Sequence, residues 1–216
     1  LGVDGSAIGT AIGRGSGGVI VLFLLFRGRS GLKLVLQRRT DFEMMRRILR
    51  VGLPTAGELL IFQGALLIFT RFVTGIGPSA YAAHIVTVNI ESLSFLPGLG
   101  YATAASTLVG QALGANNPNR ARAQAYEAVI QGSLFMNIIG LIMLVSPQPL
   151  LAFFNNDPQV VAAAIAPLQA AGLVQMALAV NFILNGALRG AGDTQWPLLA
   201  RLLSNWFIRL PVTILL

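Results

Sequence analysis

The stretch Arg38–Val73, RRTDFEMMRRILRVGLPTAGELLIFQGALLIFTRFV, decides the fold class. Arg38, Arg39, Arg46, Arg47 and Arg50 crowd its first third. After Gly52 the sequence turns apolar and stays so, with one carboxylate, Glu58, set inside the run. An apolar run of this length flanked by arginines on one side is the pattern of a helix crossing a bilayer. The arginines stay on the cytoplasmic side, and the carboxylate at depth asks for a function.

The rest of the chain follows the same pattern. Of 216 residues, 55% are hydrophobic and 11% charged, with a mean hydropathy of +0.72. A soluble domain carries about 25% charged residues. Six apolar stretches qualify as spans: about Val3–Phe26, Leu53–Val73, Ala80–Val109, Ala123–Val145, Val160–Leu188 and Pro197–Leu216. The class is therefore all-α, a polytopic transmembrane helix bundle, because helices satisfy their own backbone hydrogen bonds in hydrocarbon. The alternating ten-residue strands of a membrane barrel are missing. The lipid bilayer is the first partner. The first residues already lie in apolar sequence, so the chain is expected to be a piece of a longer polytopic protein.

The formal charge of +7 does not call for a nucleic acid, because the basic residues gather in connections between spans. Arg27–Arg50 contains eight Lys and Arg against Asp41 and Glu43. Arg120 and Arg122 mark the connection near Gln111–Arg122, and Arg189 marks the one near Arg189–Trp196, with Arg201 just beyond. Gly75–Ser79 and Ser146–Gln159 hold neither Lys nor Arg. The basic connections are expected inside the cell and the bare ones outside. Arg38–Leu49 reads either as an amphipathic helix on the inner membrane surface or as a plain charged linker.

Small residues and prolines punctuate the spans. Gly5, Gly9, Gly13 and Gly17 form a smooth stripe that would let another helix approach. Gly13, Gly15 and Gly18 also match G-x-G-x-x-G, but no βαβ context accompanies them. Pro97 and Gly98 interrupt the third span, as a kink used in transport or a static bend.

Polar stripes cross several spans. His84, Thr87, Glu91 and Ser94 share one helical face, and Glu91 falls near mid-depth. Asn181, Asn185 and Arg189 repeat every fourth residue, and Gln63, Thr70 and Thr74 share a face of the second span. Interhelical hydrogen bonding would account for the amides and hydroxyls; a carboxylate is harder to explain by packing. An unpartnered carboxylate in a low-dielectric cavity can trade a proton for a cation, the elementary act of exchange transport. Glu58 and Glu91 are thus the candidate ion- or substrate-binding residues, with Gln63, Asn181 and Asn185 as neutral neighbours. Arg71 is placed to snorkel outward, and Arg14 takes no role. With no cysteine and a single histidine, a metal site is not expected, and no cofactor beyond a coupling ion is called for. The motifs of hydrolases, zinc proteases and P-loop ATPases do not occur, so the chain does not read as an enzyme.

Three motifs converge on one family. VGLPTAGE (Val51–Glu58), LSFLPGLGYATAASTLVGQALGANNPNRARAQA (Leu93–Ala125) and ALRGAGDTQWP (Ala187–Pro197) together resemble the second lobe of MATE (multidrug and toxic compound extrusion) transporters. LGVDGSAIGTAI at the start resembles the last helix of the first lobe. The resemblance implies the last first-lobe helix over 1–26, a basic cytoplasmic interlobe loop over 27–50 and five second-lobe helices over 51–216. It implies a twelve-helix, two-lobe carrier in the cell (inner or plasma) membrane. That carrier would export small organic cations or amphiphilic drugs in exchange for H+ or Na+, and the first lobe would be a partner within the same chain. Sodium-coupled members carry acidic residues on the first and fourth second-lobe helices. Here the fourth, Val160–Leu188, has none, which leaves the coupling ion open. A flippase for a lipid-linked oligosaccharide, of related build, is the alternative. In the motifs themselves, Gly110 and Gly114 would end the third span in a tight turn, and Asp193 or Thr194 would cap the final helix.

Overall fold

The computed structural model describes residues 2–28 and 41–215. Among them the ordered elements are helical: α1 Gly2–Phe26, α2 Phe42–Ile76, α3 Pro78–Gly114, α4 Pro118–Val145, α5 Pro147–Phe154, α6 Pro158–Gly190 and α7 Gln195–Leu202. A π-helical segment, Leu203–Arg209, joins α7 to α8, Leu210–Leu215. The expected spans are all present as helices. α1, α2, α4 and α6 are long and apolar enough to cross a membrane. At ~1.5 Å per residue the 37-residue α3 measures about 55 Å against a hydrocarbon core of about 30 Å. Its Ser, Thr and Gly content dilutes its hydropathy.

Two expectations about boundaries are corrected. α2 does not open at Gly52 and Pro54; it begins at Phe42 and runs through Pro54. Asp41 starts it by accepting backbone N–H bonds from Glu43 and Met44. The basic run after Asp41 is therefore helix continuous with the span, while residues 29–40 lie outside the described residues. The second correction concerns Ser146–Gln159, which is more than a connection. It contains α5, whose Leu151 is fully buried.

The chain divides into two units, Leu1–Arg46 and Arg47–Leu216. In the first, α1 is exposed along most of its length, and nothing lies within 4 Å of a Cβ added at Gly9, Gly13 or Gly17. In the second unit, α3, α4 and α6 pack as a tight trio. Two apolar clusters hold it, one near each end. Ala83, Val86 and Ile90 meet Met143, Leu151, Val160, Ala164 and Leu168 at one end. Ala105, Val109 and Ala112 meet Ala121, Ala128, Ile183 and Ala187 at the other. Between them Ser94 Oγ donates to Gln175 Oε1 at 2.8 Å, both side chains fully buried.

The turns are set by a few residues. Asn116 takes a left-handed conformation (φ 57°) after α3, and Asn117 caps α4 by accepting from the Arg120 N–H. Of the two glycines expected to end the third span, one does. Gly114 is the last residue of α3, and Gly110 sits inside the helix, where an added Cβ would lie 3.1 Å from the Gly190 carbonyl oxygen. Gly192 makes the turn before α7 (φ 83°), and Asp193, of the two expected caps, accepts from the Gln195 and Trp196 N–H groups.

Candidate functional site: two carboxylates faced by arginines

α2 lies against the rest of its unit through one face, Glu58, Phe62, Ala65 and Phe69, at helical spacing. Glu58 is 2% exposed. Its Oε1 lies 2.9 Å from Arg201 Nε in an ion pair and accepts from Arg189 Nη2 at 3.4 Å. Arg201 also stacks on Phe62, its guanidinium carbon 4.9 Å from the ring centroid. One turn further, the Trp206 indole N–H donates to the Ile61 carbonyl at 3.1 Å. Glu58 is therefore a buried anion shared by two cations from α6 and α7. The expectation of an unpartnered carboxylate is corrected: Glu58 lies sixteen residues into α2, and its partners are arginines.

Glu91 occupies a different setting. It is half-buried on α3 and interacts electrostatically with Arg209, the last residue of the π segment. Arg209 lies over the Phe69 ring at 4.6 Å, and Phe69 meets His84 edge to face, centroids 5.2 Å apart. Arg209 also acts electrostatically on His84. A cation, a carboxylate, an aromatic face and an imidazole thus converge between α2, α3 and the final helix.

The neutral candidates separate. Asn185 is buried and donates to Asn181 Oδ1 at 3.0 Å. Both line an open groove of about 680 Å³ along α6 with Leu173, Met176 and Leu184. Their face continues one turn on to Arg189 and so to Glu58. Gln63 is exposed, because five residues at about 100° each turn it some 140° from Glu58. Thr70 and Thr74 bond carbonyls of their own helix, at Leu66 and Arg71. Thr87 does the same with Ala83, which leaves His84 and Glu91 as the members of their stripe that face a charge. Among the described residues no three acidic or imidazole groups converge to hold a metal ion.

Sequence reasoning missed Arg209, Phe62 and Phe69. The signal for Arg209 was present: a charge in the middle of the last apolar span carries the same insertion cost that singled out Glu91. Nothing in one dimension distinguishes Phe62 or Phe69 from any other membrane-helix phenylalanine.

A bundle of apolar helices that encloses paired and partly paired charges is a multi-pass membrane protein. The MatE family model matches residues 54–215. The chain belongs to the MatE family. It is 36% identical to the probable multidrug resistance protein NorM of Thermotoga maritima over 217 positions, covering 98% of this chain and 46% of that protein. It is 30% identical to the multidrug resistance protein NorM of Burkholderia vietnamiensis, covering 98% and 47%. The uncharacterized transporter YisQ of Bacillus subtilis is 26% identical, covering 100% and 48%. The chain spans about half the length of the curated relatives it matches.

Proposed function

We propose that this chain is part of a secondary carrier of the cell membrane that exports organic cations or amphiphilic drugs in exchange for protons or sodium ions. Family membership and the names of its relatives support the substrate class. The observation that carries the reading is Glu91, a half-buried carboxylate that interacts electrostatically with the arginine lying on the Phe69 ring, inside a membrane bundle. An aromatic face and a carboxylate are the two groups that recognise an organic cation away from water. A proton or sodium ion competes for the same carboxylate, so entry of one drives release of the other. Glu91 is the binding group on this reading. Glu58 anchors α2, and Asn181 and Asn185 offer hydrogen bonds along the groove of α6.

The test uses the full-length protein in liposomes, with uptake of a fluorescent organic cation driven by an imposed pH or sodium gradient. Glu91→Gln is expected to lower the gradient-driven rate at least about tenfold, equivalent to ~1.4 kcal/mol of lost interaction, at unchanged reconstitution. A parental rate in Glu91→Gln would overturn the role of this carboxylate. Failure of the parental protein to move any organic cation under either gradient would overturn the function.

A further inference from the structure

The final helix sets two arginines against α2, and their spacing does not fit an α-helix. Phe62 and Phe69 are seven residues apart, two turns, and so share a face. Arg201 and Arg209, which stack on them, are eight residues apart. At about 100° per residue, eight residues overshoot a whole number of turns by about 80°. The π segment Leu203–Arg209 absorbs the excess residue, with the Leu210 N–H bonding the Asn205 carbonyl five residues back. Pro211 helps to create it, because it has no N–H for the Phe207 carbonyl. The irregular helix is therefore what delivers the Arg209 guanidinium onto Phe69.

What surrounds Arg209 has the chemistry of a cation-binding site: it lies on the face of Phe69, which packs against His84, and it interacts electrostatically with the Glu91 carboxylate on α3. Arg201 is the contrasting case. Glu58 pairs with it directly at 2.9 Å, the carboxylate buried and the arginine mostly so. Glu91 and Arg209 are both half-buried and make no such direct pair among the described residues. The Glu91 carboxylate keeps capacity for another ligand.

We propose that Arg209 is a tethered cation that occupies the aromatic–carboxylate site of Phe69 and Glu91, and that an organic cation binds there by displacing it. Relaxation of the π segment to regular α-helix would rotate Arg209 by about one residue, some 100°, off Phe69 and leave the site open. The helix register thus gates the site. The ligand class rests on the export reading given above; the self-occupied site does not.

Two measurements on the full-length protein in detergent separate these claims. The first is equilibrium binding of tetraphenylphosphonium. Arg209→Ala is expected to bind it about tenfold more tightly than the parental protein, with Arg209→Lys between the two, and the double variant Arg209→Ala/Glu91→Gln is expected to lose the gain. Unchanged or weaker binding by Arg209→Ala, in protein that stays monodisperse, would overturn the displacement. The second is the thermal unfolding midpoint in ~10 mM guanidinium chloride against the same concentration of sodium chloride. Guanidinium is expected to raise the midpoint of Arg209→Ala by at least ~1 °C and to leave the parental midpoint unmoved. The same response in both proteins, or in neither, would overturn the tethered-cation site. If no form binds tetraphenylphosphonium while the guanidinium shift appears in Arg209→Ala alone, the site stands and the export reading falls.

Discussion

Glu58 owes its burial to two arginines that do unequal work. Removing a carboxylate from water costs several kcal/mol, and a buried pair recovers this only with close, well-directed partners. Arg201 is the closer and more buried of the two, at 2.9 Å with its side chain 16% exposed. Arg189 is 36% exposed and 3.4 Å away, so solvent screens most of its contribution. Replacing Glu58 with Ala strands Arg201 in the interior and is expected to cost about 3–5 kcal/mol of stability. Arg189→Met is expected to cost only about 0–1 kcal/mol. Denaturant titration of the full-length protein in mixed micelles checks both; equal losses would show that the two arginines share the charge evenly. Pairing Glu58→Leu with Arg201→Met is expected to restore most of the loss, because no buried charge is then left alone.

Among the elements, glycines decide how closely α3, α4 and α6 approach. A Cβ at Gly172 would lie 3.3 Å from the Leu144 backbone nitrogen, and one at Gly140 would lie 2.8 Å from the Gly172 carbonyl oxygen. At Gly186 and Gly190 a Cβ would strike the backbone of Ala102 and Ser106. These are backbone atoms that cannot rotate away, so the helices themselves would have to separate. Gly186→Ala is expected to destabilise by about 1–3 kcal/mol despite the better helix propensity of alanine. Gly100→Ala, on α3 where nothing lies within 4 Å, is the matched control and is expected to be neutral or stabilising by up to about 1 kcal/mol. Comparable unfolding midpoints for the two variants would refute close packing as the role of Gly186. Glycine spacing alone pointed to the stripe on α1. It missed Gly140, Gly172 and Gly186, because a glycine's importance depends on which backbone lies opposite.

In the molecule as a whole, the connections alternate between two ends of the α3–α4–α6 trio. Gly110 packs against Gly190, so the basic turns after α3 and after α6 lie at one end, with Glu58, Arg189 and Arg201. Val86, Leu151 and Val160 pack together at the other, beside the connections that lack Lys and Arg. Charge asymmetry of this kind orients a membrane protein with the basic end in the cytoplasm. In a cysteine-free full-length protein, a cysteine at Asn156 is expected to react with a membrane-impermeant maleimide applied to intact cells. One at Asn117 is expected to react only after the membrane is opened. The reverse pattern would invert the topology.

Hydrophobic patterning by itself determined the helical class and where the apolar helices lie, though not the start of α2 at Phe42 or the presence of α5. The bilayer leaves an apolar chain little other choice, and each helix closes its own hydrogen bonds from local sequence. Basic residues likewise marked which connections share an end, because that rule counts charges along the chain. Candidate polar residues could be named the same way, since any charge within an apolar span stands out. Their roles could not. Whether Glu58 is free or paired depends on Arg189 and Arg201, 131 and 143 residues further along the chain (189 − 58 and 201 − 58). Whether Gln63 faces a cavity or the outside depends on which side of α2 meets the final helix. The placement of Arg209 on Phe69 depends on a π turn that shifts the register by one residue. Each of these is a distance across helices, and distances across helices exist only once the bundle has packed.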